Sequence, residues 1–254
     1  MSTNYDYYYM FDEPVEYKDL KIYPVKMKDY FKFLYLSDIL LLDKNSVPDA
    51  KIISMSYLDY LIFLAEKEVD VLQKLIVLLY LVLNLDVLDS SLIKIGSNDK
   101  GKTIFLIGEN IYAAQDFDEI RKIIIEQNLL EAPDEYIQKE LRDAMDAGER
   151  FRKAVSGNKI VSVEDQMIAL SIYTGIKLEE IYNLTARKFI KMMGRMDKLI
   201  HYIIYMSASM SGFVEFKDKS ALKHWLTEDK KKFNREDMIP YEEVENKVNL
   251  STNK

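Results

Sequence analysis

Cysteine is absent and histidine nearly so: the 254 residues include no Cys and two His. Thiol catalysis, disulfide staples and cysteine-ligated metals are thereby excluded. His201 has no second His four residues away, so the two-His zinc pattern of a metalloprotease helix is missing. His224 sits beside Trp225 near the polar end of the chain, and both histidines read as packing or surface residues. Glycine (8) and proline (5) are scarce, which points to long regular elements and few loops able to cradle a phosphate. The longest charge-free apolar run, Leu75–Leu85, is far short of the roughly 20 residues a membrane helix needs, and reads as a buried helix. No basic residue precedes Lys18, so no secretory signal is expected. A chain without cysteine fits a reducing cytosol. What is plentiful is apolar residues at 48% and charged residues at 30%, enough for a core and unlike a disordered chain. The net charge of −7 argues against a sequence-neutral nucleic-acid coat, which needs a basic face to release counterions. No cofactor, metal, nucleic acid or membrane is expected as a partner.

Residues 1–16 are acidic and rich in tyrosine: an arm, either loosely ordered or docking on something. Residues 15–25 alternate in hydropathy and predict a short hairpin around Lys18-Asp19. From Lys26 to Leu41 the apolar spacing turns helical, and Lys44-Asn45-Ser46 stops it. Pro48-Asp49 marks a turn, and Ser54 or Ser56 caps a helix over Tyr57–Glu66. A helix from Glu68 to about Leu88 is apolar nearly all round and belongs in the middle of a bundle. Further on, Asp116 with Glu119 three residues later predicts a capped helix start. Pro133-Asp134 opens a helix running to about Val155. Ser162 caps the next one, with Glu164 and Asp165 in its first turn and Gly175 past its end. Leu178–Asn183 is a short helix. Thr185 caps a long one running from Ala186 to about Ser211, closed by Gly212. Phe213–Phe216 reads as extended, Ala221–Leu226 as a helical turn or two, and 227–254 as a polar tail. The expected fold is mainly α, a helical bundle with one or two small β-hairpins. A helical domain over 17–226 would be split, if at all, near the hairpin at 90–115.

One stretch resembles an enzyme motif. Gly96-Ser-Asn-Asp-Lys-Gly101-Lys102-Thr103 fits the phosphate-loop pattern G-x-x-x-x-G-K-[ST]. In a nucleotide-binding protein Lys102 would hold the β- and γ-phosphates and Thr103 the magnesium. That chemistry requires a helix after the loop, whose first amides meet the phosphates. Here Thr103-Ile-Phe-Leu-Ile107 follows, β-branched and aromatic, ending at Gly108. These residues predict the return strand of a hairpin, so the match reads as a turn. The acidic pairs Glu179-Glu180 and Glu242-Glu243 read as solvated faces, and no carboxylate pair stands out as catalytic.

The long helix carries the binding argument. Phe189, Met192, Met193, Met196, Leu199, Ile200, Ile203, Met206 and Met210 recur at three- and four-residue steps and form one apolar stripe. Two readings stand: ordinary core filling, or a methionine-rich surface that adapts to varied apolar partners. Arg187, Lys191, Arg195, Lys198, Tyr202 and Tyr205 form a second, basic–aromatic stripe. It is either a solvated face or a contact for an acidic partner segment, including the acidic arm of another copy. A homo-oligomer is one possible outcome.

Ser162-Val-Glu-Asp-Gln-Met-Ile-Ala-Leu-Ser-Ile-Tyr-Thr-Gly175 followed by Leu178-Glu-Glu-Ile-Tyr-Asn-Leu-Thr-Ala-Arg-Lys-Phe-Ile190 resembles helical tail-assembly proteins of tailed phages of low-GC Gram-positive bacteria. Tyr17–Tyr30 and Leu40–Ser46 look similar to the strand–strand–helix opening of phage baseplate-assembly proteins. The resemblance covers about half the chain and transfers no site residues. It implies a non-enzymatic helper in the host cytoplasm that binds the tape-measure protein and tail-tube subunits. Alternatives are a permanent tail or baseplate component of the virion, and a nucleotide-binding protein built on residues 96–103.

Overall fold

The computed structural model describes residues 5–44, 49–68, 70–86, 92–99, 101–132, 161–213, 216 and 223–227. The helix expected over 134–155 and the tail beyond Thr227 lie outside the described residues. Two compact units, Met1–Met193 and Gly194–Lys254, divide the chain. As expected, the fold is mainly helical with two small antiparallel sheets.

The first unit opens with α1 (Asp6–Phe11), then the hairpin β1 (Val15–Tyr17) and β2 (Leu20–Ile22). The hairpin pairs Val15 with Ile22 and Tyr17 with Leu20 across the Lys18-Asp19 turn, and Lys18 takes a left-handed φ of 51°. Next come α2 (Tyr30–Ser37), with short 3-10 turns at Met27–Asp29 before it and Asp38–Leu41 after it, then α3 (Ala50–Ser54), α4 (Tyr57–Ala65) and α5 (Asp70–Val82). Capping sets the starts. Asp49 accepts the Lys51 N–H at 2.8 Å, and Ser56 accepts the Asp59 N–H at 3.1 Å, each satisfying a helix-start donor that has no partner within the helix. Helix α3 has no counterpart among the expected elements, because its five residues are too few to show a period.

A three-stranded sheet follows, β3 (Ile93–Ser97), β4 (Thr103–Ile107) and β5 (Asn110–Ala113), leading directly into α6 (Ala114–Gln127). The hairpin expectation holds for β3 and β4, whereas β5 is additional. It is only four residues long, with Ile111 pointing out at 65% exposure, so its alternation is too brief to read. Because β5 runs up to Ala113, α6 starts before Asp116. Asp116 is therefore not the cap but the third helical residue, and its carboxylate accepts the Ala113 N–H at 3.0 Å. That is the acidic half of a capping box.

The sheet does not split the unit. Ile93, Phe105, Ile107 and Tyr112 join one core with the buried faces of α2, α4, α5 and α6. Phe105 stacks on Tyr112 at 5.2 Å and meets Phe117 of α6 edge-on at 6.1 Å, arrangements that suit the ring quadrupoles. Helix α5 packs against both α2 and α4, and Leu75, Leu78, Leu79 and Val82 are buried, as its apolar surround predicts. The arm docks here too. Tyr5 and Tyr9 belong to the core, and the Tyr9 hydroxyl donates to Glu126 of α6 at 3.2 Å. Two buried amides tie the β2 segment to the end of α6. Asn128 accepts the Val25 N–H at 2.9 Å and Gln127 donates to the Ile22 carbonyl at 3.2 Å, so the Asn128 side chain and the Gln127 amide nitrogen keep partners inside the core, whereas Gln127 Oε1 is buried without one.

Three helices complete the described chain: α7 (Val163–Thr174), α8 (Leu178–Asn183) and α9 (Ala186–Met210). Ser162 caps α7 by accepting the Asp165 N–H at 3.0 Å, and Gly175 ends it in the left-handed conformation at φ 74°. Helix α8 packs on α7 and on the Met27–Asp29 turn.

Candidate interaction surface on the long helix

The start of α9 is tied into the first unit by backbone and side-chain bonds. Two backbone bonds join it to the segment after β2: the Met27 N–H donates to the Leu184 carbonyl at 2.9 Å, and the Ala186 N–H donates to the Val25 carbonyl at 2.8 Å. Between them Thr185 is buried and caps the helix, accepting the Lys188 N–H at 3.2 Å. The Thr185 hydroxyl donates to Asp12 at 2.7 Å, and the Lys188 ammonium reaches the other Asp12 oxygen at 2.8 Å. Asp12 ends α1 in a left-handed conformation, φ 59°, uncommon for a residue with a Cβ but tolerated by Asp. Arg187 lies over the Tyr9 ring, 4.9 Å from its centroid, and donates to the Glu126 carbonyl at 2.6 Å. Burial, followed by the neighbouring Glu126 carboxylate, pushes the Tyr9 hydroxyl far above its ordinary range, so Tyr9 stays a neutral donor. The acidic arm thus meets the basic helix within one chain.

Of the residues singled out on the long helix, Arg187 is therefore part of an internal clasp. Lys191 is exposed and Lys198 half-buried, and neither is a free cation. In the second unit Arg195 donates to the Trp225 carbonyl at 3.0 Å. Tyr202 meets His224 edge-on at 5.4 Å, and Tyr205 meets Phe216 at 5.6 Å. The basic–aromatic stripe meets Phe216, His224 and Trp225 here. Both histidines are exposed: His201 donates to the Asp197 carbonyl one turn back at 2.9 Å, and His224 lies against the Tyr202 and Trp225 rings.

Beyond Phe189 the apolar stripe is only partly covered. Ala186 and Phe189 are the only buried residues of α9. Met192, Met193, Met196, Leu199, Ile200 and Met206 are half-buried. Toward the end of the helix Ile203, Ile204 and Met210 stand out at 51%, 55% and 79% exposure. A run of flexible thioethers and isoleucines at helical spacing, half in water, is a surface that can mould to apolar side chains of varied shape.

The phosphate-loop match is a hairpin turn. Gly96 and Ser97 pair with Ile104 and Thr103. Asn98 accepts the Lys102 N–H at 2.9 Å, and the Gly101 N–H donates to the Asn98 carbonyl at 2.8 Å, with Gly101 at φ 70°. The Gly101 and Lys102 amides are thus consumed by the turn, and a strand follows where a helix is required. Among the described residues no group of three or more His, Asp or Glu could hold a metal ion, and no helix is long and apolar enough to cross a membrane.

A second polar hub has no signal in the sequence. Asp116 accepts from the Tyr17 hydroxyl at 2.8 Å and from the Lys18 ammonium at 2.7 Å, binding the β1–β2 hairpin to α6. Burial alone would raise its carboxyl. The Lys18 ammonium, the Tyr17 hydroxyl and the Ala113 N–H outweigh that and hold it below the usual range.

Residues 154–230 match the family described as the YomV second domain. That family is phage-related. The matched stretch contains α7, α8 and α9, and so includes the methionine stripe and the Ser162–Ile190 sequence that resembles phage assembly proteins. Comparisons with curated proteins and with solved structures give no match.

Proposed function

We propose that the chain is a non-enzymatic phage tail-assembly chaperone, acting in the host cytoplasm, that binds the tape-measure protein and tail-tube subunits while the tail polymerises. The observation that carries this reading is the half-covered methionine and isoleucine face of α9, from Met192 to Met210, inside the stretch that matches a phage-related family. A tape-measure helix is long and apolar before it is enclosed by the tube. A helper must cover it reversibly, which favours a flexible surface over a rigid pocket. The hairpin at 96–103 supports a role without nucleotide chemistry.

Co-expression with the tape-measure protein tests the proposal. A co-purifying complex and a larger soluble fraction of tape-measure protein are expected, both reduced by Ile203→Glu with Met210→Glu. No complex and unchanged solubility would sink it. Mass spectrometry of purified virions should find the chain absent, whereas a fixed stoichiometric amount would make it a permanent tail or baseplate component.

A further inference from the structure

Helix α7 is apolar on two opposite sides, and only one of them is covered. Leu170 is fully buried, with Val163 and Met167 half-buried beside it on the inner side. On the outer side Ile168, Ala169 and Ile172 lie three and four residues apart, so they share one face. Ile172 is 80% exposed and Ile168 39%, with Tyr173 alongside at 48%. An amphipathic helix lying on a core carries charges along its whole outer side, and α7 does not. Its charges are at one end, where Glu164 and Asp165 occupy the first turn of the same outer face. Glu179 and Glu180 follow on α8, and Lys177 is the only base between Ser162 and Asn183. Among the described residues no ion pair neutralises Glu164, Glu179 or Glu180.

We propose that the outer face of α7 docks a basic amphipathic helix of another protein, with apolar side chains over Ile168 and Ile172 and Lys or Arg opposite Glu164 and Asp165. Charge selects this occupant. A second copy of the chain carries the same net charge of −7 and the same acidic first turn, so self-pairing on this face works against long-range repulsion. Area points the same way. Twelve residues at about 1.5 Å each make a face about 18 Å long and about 10 Å wide, on the order of 200 Å² and well short of the roughly 800 Å² per partner that a stable dimer covers. The contact is therefore of the weak, exchanging kind, steered by charge and seated by two isoleucines. It is separate from the methionine stripe of α9 and stands whether or not a tape-measure protein binds there.

The test uses the full chain and a fluorescent Leu/Lys amphipathic helical peptide in an anisotropy titration, with a Leu/Glu peptide of identical apolar spacing as the control. Saturable binding of the Leu/Lys peptide alone is expected. Ile168→Ser with Ile172→Ser should weaken it by about tenfold or more through lost apolar burial, and Ile172→Ser alone, at the 80% exposed position, should weaken it with an unchanged melting temperature. Glu164→Lys, or raising NaCl from about 0.05 to about 0.5 M, should weaken it by screening or reversing the charge term. Equal binding of the Leu/Glu peptide, no saturable binding, or binding untouched by the double substitution overturns the proposal. So does concentration-dependent dimerisation in sedimentation that the double substitution abolishes, because the face would then belong to a second copy.

Discussion

Thr185→Val separates an arm that is part of the fold from one that hangs free. Valine keeps the shape and the extended backbone of Thr185 and removes only the hydroxyl. Two interactions go with it. The Lys188 N–H, 3.2 Å from Oγ1, loses its cap, and a lost N-cap costs about 1 kcal/mol. Asp12 loses a charge-assisted hydrogen bond of 2.7 Å. Such a bond contributes about 1.5–3 kcal/mol, and the lower end applies because the Asp12 side chain keeps 21% exposure and can recruit water. The sum is about 2–3 kcal/mol, a fall in melting temperature of roughly 5–10 °C for a unit of this size. Urea melts of wild type, Thr185→Val, Asp12→Asn and the double variant form a cycle that isolates the pair, with an expected coupling of about 1 kcal/mol or more. A Thr185→Val variant within about 0.5 kcal/mol of wild type, or an additive cycle, would refute the clasp. The acidic residues of the arm would then be available to other partners.

Three further outcomes are expected. Asp116 has a carboxyl held below its usual range, so its stabilisation is complete above the unfolded value of about 3.9 and is lost as pH falls through the lower folded value. Urea midpoints of wild type should therefore drop more steeply below about pH 4 than those of Asp116→Asn, and parallel profiles would contradict this. Gly175 sits at φ 74° with open space for at least 4 Å around the position a Cβ would take, so Gly175→Ala should cost about 1 kcal/mol of backbone strain and no clash. A thermal melt showing a loss several times larger would reveal a packing role. Lys102→Ala should leave stability within about 0.5 kcal/mol, and calorimetry should show no ATP binding by either protein. Saturable binding by wild type that the substitution removes would restore the phosphate-loop reading.

Local chemistry is the legible part of the sequence. Ser56, Ser162 and Thr185 cap the helices that follow them, and Gly175 ends α7, as expected, because capping is decided within four residues of chain. The Lys18-Asp19 and 98–102 turns are legible for the same reason. Elements too short for a period are not: α3 and β5 have no room to repeat a pattern, and without β5 the start of α6 shifts from Ala114 to Asp116. The long helix is illegible in a different way. Its two stripes have the expected spacing, but spacing does not say which stripe is covered. The apolar one is left half in water and the basic one is partly covered, since Arg187 and Arg195 each reach a main-chain carbonyl distant in sequence.

The charge distribution shows why that pairing is out of reach of the sequence. The arm has no base before Lys18, and α9 begins with Arg187 and Lys188, so each looks like half of a contact with another molecule. The contact closes within one chain across a sequence separation of 176 residues between Asp12 and Lys188. Nothing local in either segment encodes that distance. It follows from the β1–β2 hairpin returning the chain to Val25, whose carbonyl holds the Ala186 N–H and so places Thr185 and Lys188 beside the end of α1. With Asp12 paired to Lys188 internally, the exposed Glu164, Glu179 and Glu180 of α7 and α8, which no ion pair neutralises among the described residues, are among the acids an outside basic partner can reach. The acidic arm is therefore a weaker guide to a partner than carboxylates that folding leaves exposed and without an ion pair.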